Sequence, residues 1–290
     1  KPVCRPAVAG TDAVAVVVVT DSSARLPADA LAEWGIRVVP LHVLVDGRDL
    51  RDGLDEVPTD LYQRPQVSTA GASPVELAGV YRAALADSAG GGVLAVHISA
   101  ALSSTLGAAQ YAAQQFGGRV RVIDSGSAGM GIGFVALAAA RAARGGADLD
   151  TVAARAVATV SRVHAYIVVQ RLENLRRSGR IGTAASWLGT ALALKPLLRL
   201  DGGQLVLAAR VRTTSKAIAA MVEKVLDVVG ERRAALAVQH VDNPAGAADL
   251  AATLTSALPA CGPPIVTDLG PVLGVHLGPG ALGVVLELQP

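Results

Sequence analysis

The side chains in this sequence whose clustering points to chemistry are hydroxyls, and several short clusters of them each follow an apolar run. Thr20, Ser22 and Ser23 follow residues 14–19; Ser99, Ser103, Ser104 and Thr105 follow 93–98; Ser125 and Ser127 follow 120–123. Ser68, Thr69 and Ser73 lie in a Pro- and Gly-containing stretch, 65–74. A hydroxyl just ahead of a helix accepts a bond from a free N–H and caps it. It also stands where a helix start favours an anion, and it can donate to one. Ser103 or Ser104 suits either role. Arg180, which follows Ser178-Gly179, and Arg212, at the end of an apolar run, would supply charge to such an anion, although the ordinary role of each is a solvated surface cation. His276 sits in a glycine-rich stretch that reads as a turn. Together these residues suit a bound carboxylate or phosphate.

Other chemistries fit less well. The strand-to-helix Gly-x-Ser-x-Gly elbow of a serine hydrolase is absent, and Ser125-Gly126-Ser127-Ala128-Gly129 has its residue types out of register. Ser103 or Ser125 paired with His276 remains the alternative reading, a hydrolase or acyltransferase. A phosphate- or nucleotide-binding regulatory module is a third. Against it, Gly129-x-Gly131-x-Gly133 is only half a dinucleotide fingerprint, and no Gly-rich phosphate loop with Lys-Ser/Thr occurs. The 5 histidines show no metal-ligand spacing, and the 2 cysteines, Cys4 and Cys261, stand far apart. No metal, cofactor or disulfide is therefore expected, and a reducing cytoplasm is the expected location. A net charge of +2 with 3% aromatic residues does not suit nucleic acid. The apolar runs 13–19, 133–140 and 184–194 are each too short to span a bilayer, and residues 1–10 carry no secretory signal pattern.

Elements must position these groups. Strand, hydroxyl turn and helix recur in the first half: strands over 14–19, 36–45, 93–98 and 120–123, helices over 75–87, 108–116 and from about 129 to 144. This repeat predicts an α/β fold, a parallel sheet with helices on both faces, with the serine-bearing turns gathered on one edge. An amphipathic helix over 148–160 closes this half. The second half mixes a hairpin around Asp201-Gly202-Gly203 with helices over 215–229 and 244–258 and strands over 234–239, 265–267 and 283–288. It reads as a smaller α+β domain. The expected division is a tail over 1–12, an α/β domain over 13–163 and an α+β domain over 164–290.

The ordered set of motifs resembles the DegV family of bacterial fatty-acid-binding proteins over about residues 14–288. The matching pieces are Thr20-Asp-Ser-Ser23, Val39-Pro40-Leu41, Thr69-x-x-x-Ser73-Pro74, Ile98-Ser99-x-x-Leu102-Ser103-x-Thr105, Val122-Ile-Asp-Ser125, Ser178-Gly-Arg-Ile181, Lys195-Pro196, Val211-Arg212-Thr213 and His276-x-Gly-Pro-Gly280. The resemblance implies a non-catalytic carrier with a long-chain fatty acid, such as palmitate, buried between two domains. It implies a separate fatty acid kinase as partner, which phosphorylates the carboxylate for phospholipid synthesis. It places the carboxylate on Thr69 and Ser103, with His276, Arg212 and Arg180 nearby and serving the step with the kinase. Ala70, Ala72 and Ser104 depart from the family pattern beside this head-group site. An interior of Val, Leu and Ala can line a tunnel, and each buried methylene contributes about 0.8 kcal/mol. The carboxylate must be hydrogen-bonded, because burying it bare is costly.

Overall fold

The computed structural model describes residues 15–181 and 195–290. The expected tail over 1–12 and the whole apolar run 184–194 lie outside the described residues.

In the first half the chain forms β1 (Val17–Asp21), α1 (Ala28–Trp34), β2 (Arg37–Val39), β3 (His42–Val45), β4 (Arg48–Arg51), β5 (Val67–Ala70), α2 (Pro74–Asp87), β6 (Val93–His97), α3 (Thr105–Ala113), β7 (Val120–Asp124), α4 (Met130–Arg144) and α5 (Leu149–Val160). Four of the strands make a parallel sheet in the order β2-β1-β6-β7. Its middle strands are chiefly apolar because helices cover both faces, with Thr20, Asp21 and His97 at their ends. One buried cluster packs α4 and α5 on one side, and another packs α2 and α3 on the other.

The single strand expected over 36–45 is two strands in two sheets. Pro40 has no N–H to offer a ladder, and the chain changes sheets there. β3 then turns at Asp46-Gly47, both with positive φ (52° and 72°), the geometry of a tight hairpin turn. It forms a small antiparallel sheet in the order β4-β3-β5. β5 lies inside the stretch expected to be a loop. The helix expected from 75 is α2, with Pro74 in its first turn and Ser73 as N-cap; Ser73 and Glu76 bond each other's backbone N–H reciprocally.

The second half forms β8 (Val163–Val168), α6 (Glu173–Arg177), β9 (Lys195–Asp201), β10 (Gln204–Val211), α7 (Thr214–Val229), β11 (Ala234–His240), α8 (Pro244–Ala257), β12 (Ile265–Asp268), α9 (Gly270–Leu277) and β13 (Leu282–Leu288). These build a six-stranded sheet in the order β10-β9-β8-β13-β11-β12, antiparallel except for the β11–β12 pair. α7 and α8 cover one face through a third cluster. His276, expected in a glycine-rich turn, stands instead in the last turn of α9. Pro271 opens this helix and Gly278, at φ 79°, ends it.

Hydrogen bonds from separate elements tie the two halves together. Arg25 Nε donates to Asp268 O (2.9 Å), Ser99 Oγ to Gly203 O (2.8 Å) and Met130 N to Gln239 Oε1 (3.0 Å). Between them the halves enclose a cavity.

Candidate functional site

The Ser99–Ser104 turn is held from beneath by a buried network. Asp21, at the end of β1, accepts from Ile98 N (3.0 Å), His97 Nδ1 (3.0 Å), Ser23 N (3.1 Å) and the Ser23 hydroxyl. With Nδ1 donating to that carboxylate, His97 Nε2 is left to accept from Tyr81 OH at 2.8 Å. Burial and the nearby Asp21 charge hold the Tyr81 hydroxyl protonated, far above its usual range. Ser23, one of the hydroxyls clustered after residues 14–19, thus carries the scaffold together with His97.

On this base Ser103 begins the approach to α3. Its Oγ accepts from Thr105 N (3.2 Å) and lies 2.9 Å from Thr105 Oγ1. Ser104 stands at the N-cap position but makes no side-chain cap, so Ser103 performs that bonding. If the fully buried Thr105 donates to Ser103 Oγ, the Ser103 proton is free for a ligand. Thr105, one of the hydroxyls clustered after residues 93–98, thus acts through Ser103.

Thr69 lies on β5 and is brought to the same place by Gly71. A Cβ at Gly71 would stand 2.6 Å from Thr105 Oγ1 and 3.3 Å from Thr105 N, so the loop after β5 can lie against the Ser103 turn only with glycine there. Thr69 Oγ1 is 2.8 Å from His276 Nε2, across 207 positions of sequence. His276 Nδ1 is buried with no protein partner. Burial, aided by the positive charge of Arg180, pulls the imidazole pKa down to about 4, so it is neutral near pH 7. If Thr69 donates to Nε2, Nδ1 carries the proton and can donate to a carboxylate. In the other tautomer Nε2 donates to Thr69 Oγ1, the Thr69 proton is free to donate to the ligand, and Nδ1 can accept from a protonated acid.

Arg180 closes the cluster: its Nε donates to Leu102 O (3.2 Å) and its Nη1 to Ser178 O (2.5 Å), spanning from the end of α6 to the residue before Ser103. The structure therefore gathers Thr69, Ser103, Arg180 and His276. It does not bring Arg212 to them; Arg212 is exposed between β10 and α7 and lines neither neighbouring cavity. Ser125 is buried and its Oγ donates to Ser127 O (3.3 Å), while His276 takes Thr69 as its hydroxyl partner. Of the departures, Ala72 packs into the core, whereas Ala70 and Ser104 line the cavity.

The cavity has a volume of about 440 Å³, within the ~300–1,000 Å³ of sites that enclose small organic ligands. Away from the polar cluster its walls are chiefly aliphatic, with Leu41, Ile98, Leu175, Leu200, Leu273 and Val285 among them. A second, polar recess of about 810 Å³ includes Arg48, Asn174 and Arg177. Thr69, Arg180 and His276 line both, so the polar cluster stands where the apolar interior meets the polar recess. Among the described residues no group of three or more His, Cys, Asp or Glu could hold a metal, and no helix is long and apolar enough to cross a membrane.

Known proteins share this architecture. A solved structure of a DegV family protein from Thermus thermophilus, described for its fatty acid binding, superposes with a TM-score of 0.85 at 35% identity, covering 95% of this chain and 100% of that one. The fatty acid binding protein DegV from Bacillus subtilis gives a TM-score of 0.85 at 27% identity, covering 95% and 100%. A DegV domain-containing protein of Mycobacterium bovis is 61% identical over 273 residues, 94% of this chain and 97% of its own. The model of an uncharacterised protein family, the DegV family, matches residues 15–289. A match of that extent, on the fold and motifs described, makes the chain a member of the DegV family.

Proposed function

We propose that this protein binds a long-chain fatty acid, with the acyl chain in the apolar cavity and the carboxylate at Thr69, Ser103, His276 and Arg180. The observation that carries this reading is the junction itself. Hydroxyls and a partnerless imidazole nitrogen stand at the polar end of an aliphatic enclosure. Burying the chain supplies affinity without direction, and the polar end fixes which way the molecule lies. Relatives described as fatty acid binding, in Thermus thermophilus and Bacillus subtilis, support the ligand class.

The protein is a carrier, and the reaction belongs to a partner. A carboxylate at this junction faces the polar recess, where a separate fatty acid kinase can reach it with ATP and form an acyl-phosphate for phospholipid synthesis. Arg180 and, from outside, Arg212 serve that step, because guanidinium groups stabilise the charge of a transferring phosphoryl group. The ATP-dependent partner sets the location in the cytoplasm. The protein needs no cofactor of its own.

The test is calorimetric binding of palmitate to delipidated wild type, Thr69→Ala, Ser103→Ala and Arg212→Ala, with kinase-coupled turnover measured alongside. Losing one hydrogen bond to a charged group costs about 1.5–3 kcal/mol, so Thr69→Ala and Ser103→Ala are expected to bind about ten- to a hundredfold more weakly. Arg212→Ala is expected to keep most of its affinity and lose turnover. Wild type that binds no fatty acid would refute the ligand. Equal losses of affinity and turnover in Arg212→Ala would refute the division of labour.

A further inference from the structure

The wall opposite the helices is built from the six-stranded sheet, and its middle has an unusual make-up. Ile167 on β8, Gly283 on β13 and Gln239 on β11 stand in register on three neighbouring strands, with Gly283 opposite Ile167 on one side and Gln239 on the other. Residues in register point to the same face of a sheet, and all three line the cavity. A glycine in the interior of a central strand weakens it. Gly283 does not have the positive φ that would require glycine. What the position uses is the missing side chain.

The two flanking residues differ in how far they can move. Gln239 is 2% exposed and fixed at both ends of its amide, Oε1 accepting from Met130 N at 3.0 Å and Nε2 donating to Thr267 Oγ1 at 3.1 Å. It also lies tightly over Gly129, where a Cβ would collide with it. Ile167 has no such ties. A Cβ at Gly283 would stand 3.0 Å from Tyr166 O and 3.5 Å from Ile167 Cγ1. The tight contact is with a carbonyl of the sheet, whereas 3.5 Å from Ile167 is ordinary van der Waals contact, so an added methyl stands beside Ile167 and itself narrows the bore.

We infer that Gly283 is a specificity-determining residue: it sets the width of the tunnel where the acyl chain crosses the sheet and so admits chains with a bend. A cis double bond bends an acyl chain and widens the space it sweeps, whereas a saturated chain of equal length can stay straight. This inference rests on the fatty-acid reading above and adds the selection among fatty acids.

The experiment compares stearate and oleate, which have equal length and differ by one cis double bond. Both are titrated into delipidated wild type, Gly283→Ala, Ile167→Ala and the double variant. Gly283→Ala is expected to weaken oleate about tenfold relative to stearate, the effect of modest overpacking in a fixed wall. Ile167→Ala in that background removes the side chain beside the added methyl and is expected to return the ratio to within about threefold of wild type. Equal losses for the two acids in Gly283→Ala, or a double variant that leaves the ratio depressed, overturn the assignment. If Gly283→Ala does not fold, Ile167→Ala decides alone: a wider bore raises the oleate-to-stearate affinity ratio about threefold or more, and an unchanged ratio overturns it. Wild type that binds neither acid overturns both this inference and the fatty-acid reading, whereas binding with an indifferent Gly283 overturns this one only.

Discussion

At the scale of single residues, the partnership of Thr69 and His276 combines hydrogen bonding with a pH response. The His276 pKa is depressed from 6.5 to about 4 by burial first and by Arg180 second. A group with a depressed basic pKa holds fewer protons folded than unfolded between those two values, so stability rises with pH across that window. In the ligand-free protein it is expected to be complete above about pH 6.5 and lost as pH falls toward 4, at about 3 kcal/mol in all. Urea denaturation at a series of pH values checks this against His276→Gln, which should lack that part of the slope. A variant with the wild-type slope would show that another group is responsible. A bound carboxylate would raise the pKa again, so the loaded protein should resist acid better than the empty one.

At the scale of elements, the loop after β5 and the turn before α3 behave as one unit because Gly71 lets them touch. Gly71→Ala places a methyl 2.6 Å from Thr105 Oγ1, and overpacking of this kind costs about 1–3 kcal/mol. The loop must back away from Ser103, so fatty-acid affinity is expected to fall further than thermal stability does. Calorimetric titration and a melting curve on the same sample compare the two; a variant that melts lower but binds normally would separate the loop from the site. Much of this architecture was legible in the sequence. The apolar runs of β1, β6 and β7 followed by hydroxyls announced strand–turn–helix units, and Ser73-Pro74 and Asp46-Gly47 have the chemistry of a cap and a turn. The split of β2 from β3 was hidden because Pro40 is the one turn signal inside a largely apolar stretch. α9 was hidden because Gly270, Gly274 and Gly278 read as turns, while tertiary packing makes Gly274 useful: Tyr62 lies where a Cβ would be. Gln239 looked like the polar end of a strand, since its partners Met130 and Thr267 are 109 and 28 residues away.

At the scale of the molecule, the cavity is a joint as well as a container, since its walls come from both halves. A ligand that fills it adds contacts to both at once, and binding to the folded state alone stabilises by about 2.7 kcal/mol at a hundredfold excess over Kd. Scanning calorimetry of delipidated and oleate-loaded protein is expected to show a higher Tm with ligand and one transition; an unchanged Tm would mean that the acid does not occupy the interior. The strand order has a further consequence, for synthesis. β13 lies between β8 and β11 in the middle of the sheet, yet it follows both of them in the chain. On the ribosome, β8 and β11 therefore emerge with a vacant place between them, two unpaired edges exposed to other chains until β13 arrives. The same strand brings Gly283 and Val285 to the wall, so the cavity of a nascent chain is open on that side before that moment. The cavity is completed in one step, and nascent chains stalled before it carry two open strand edges that invite aggregation.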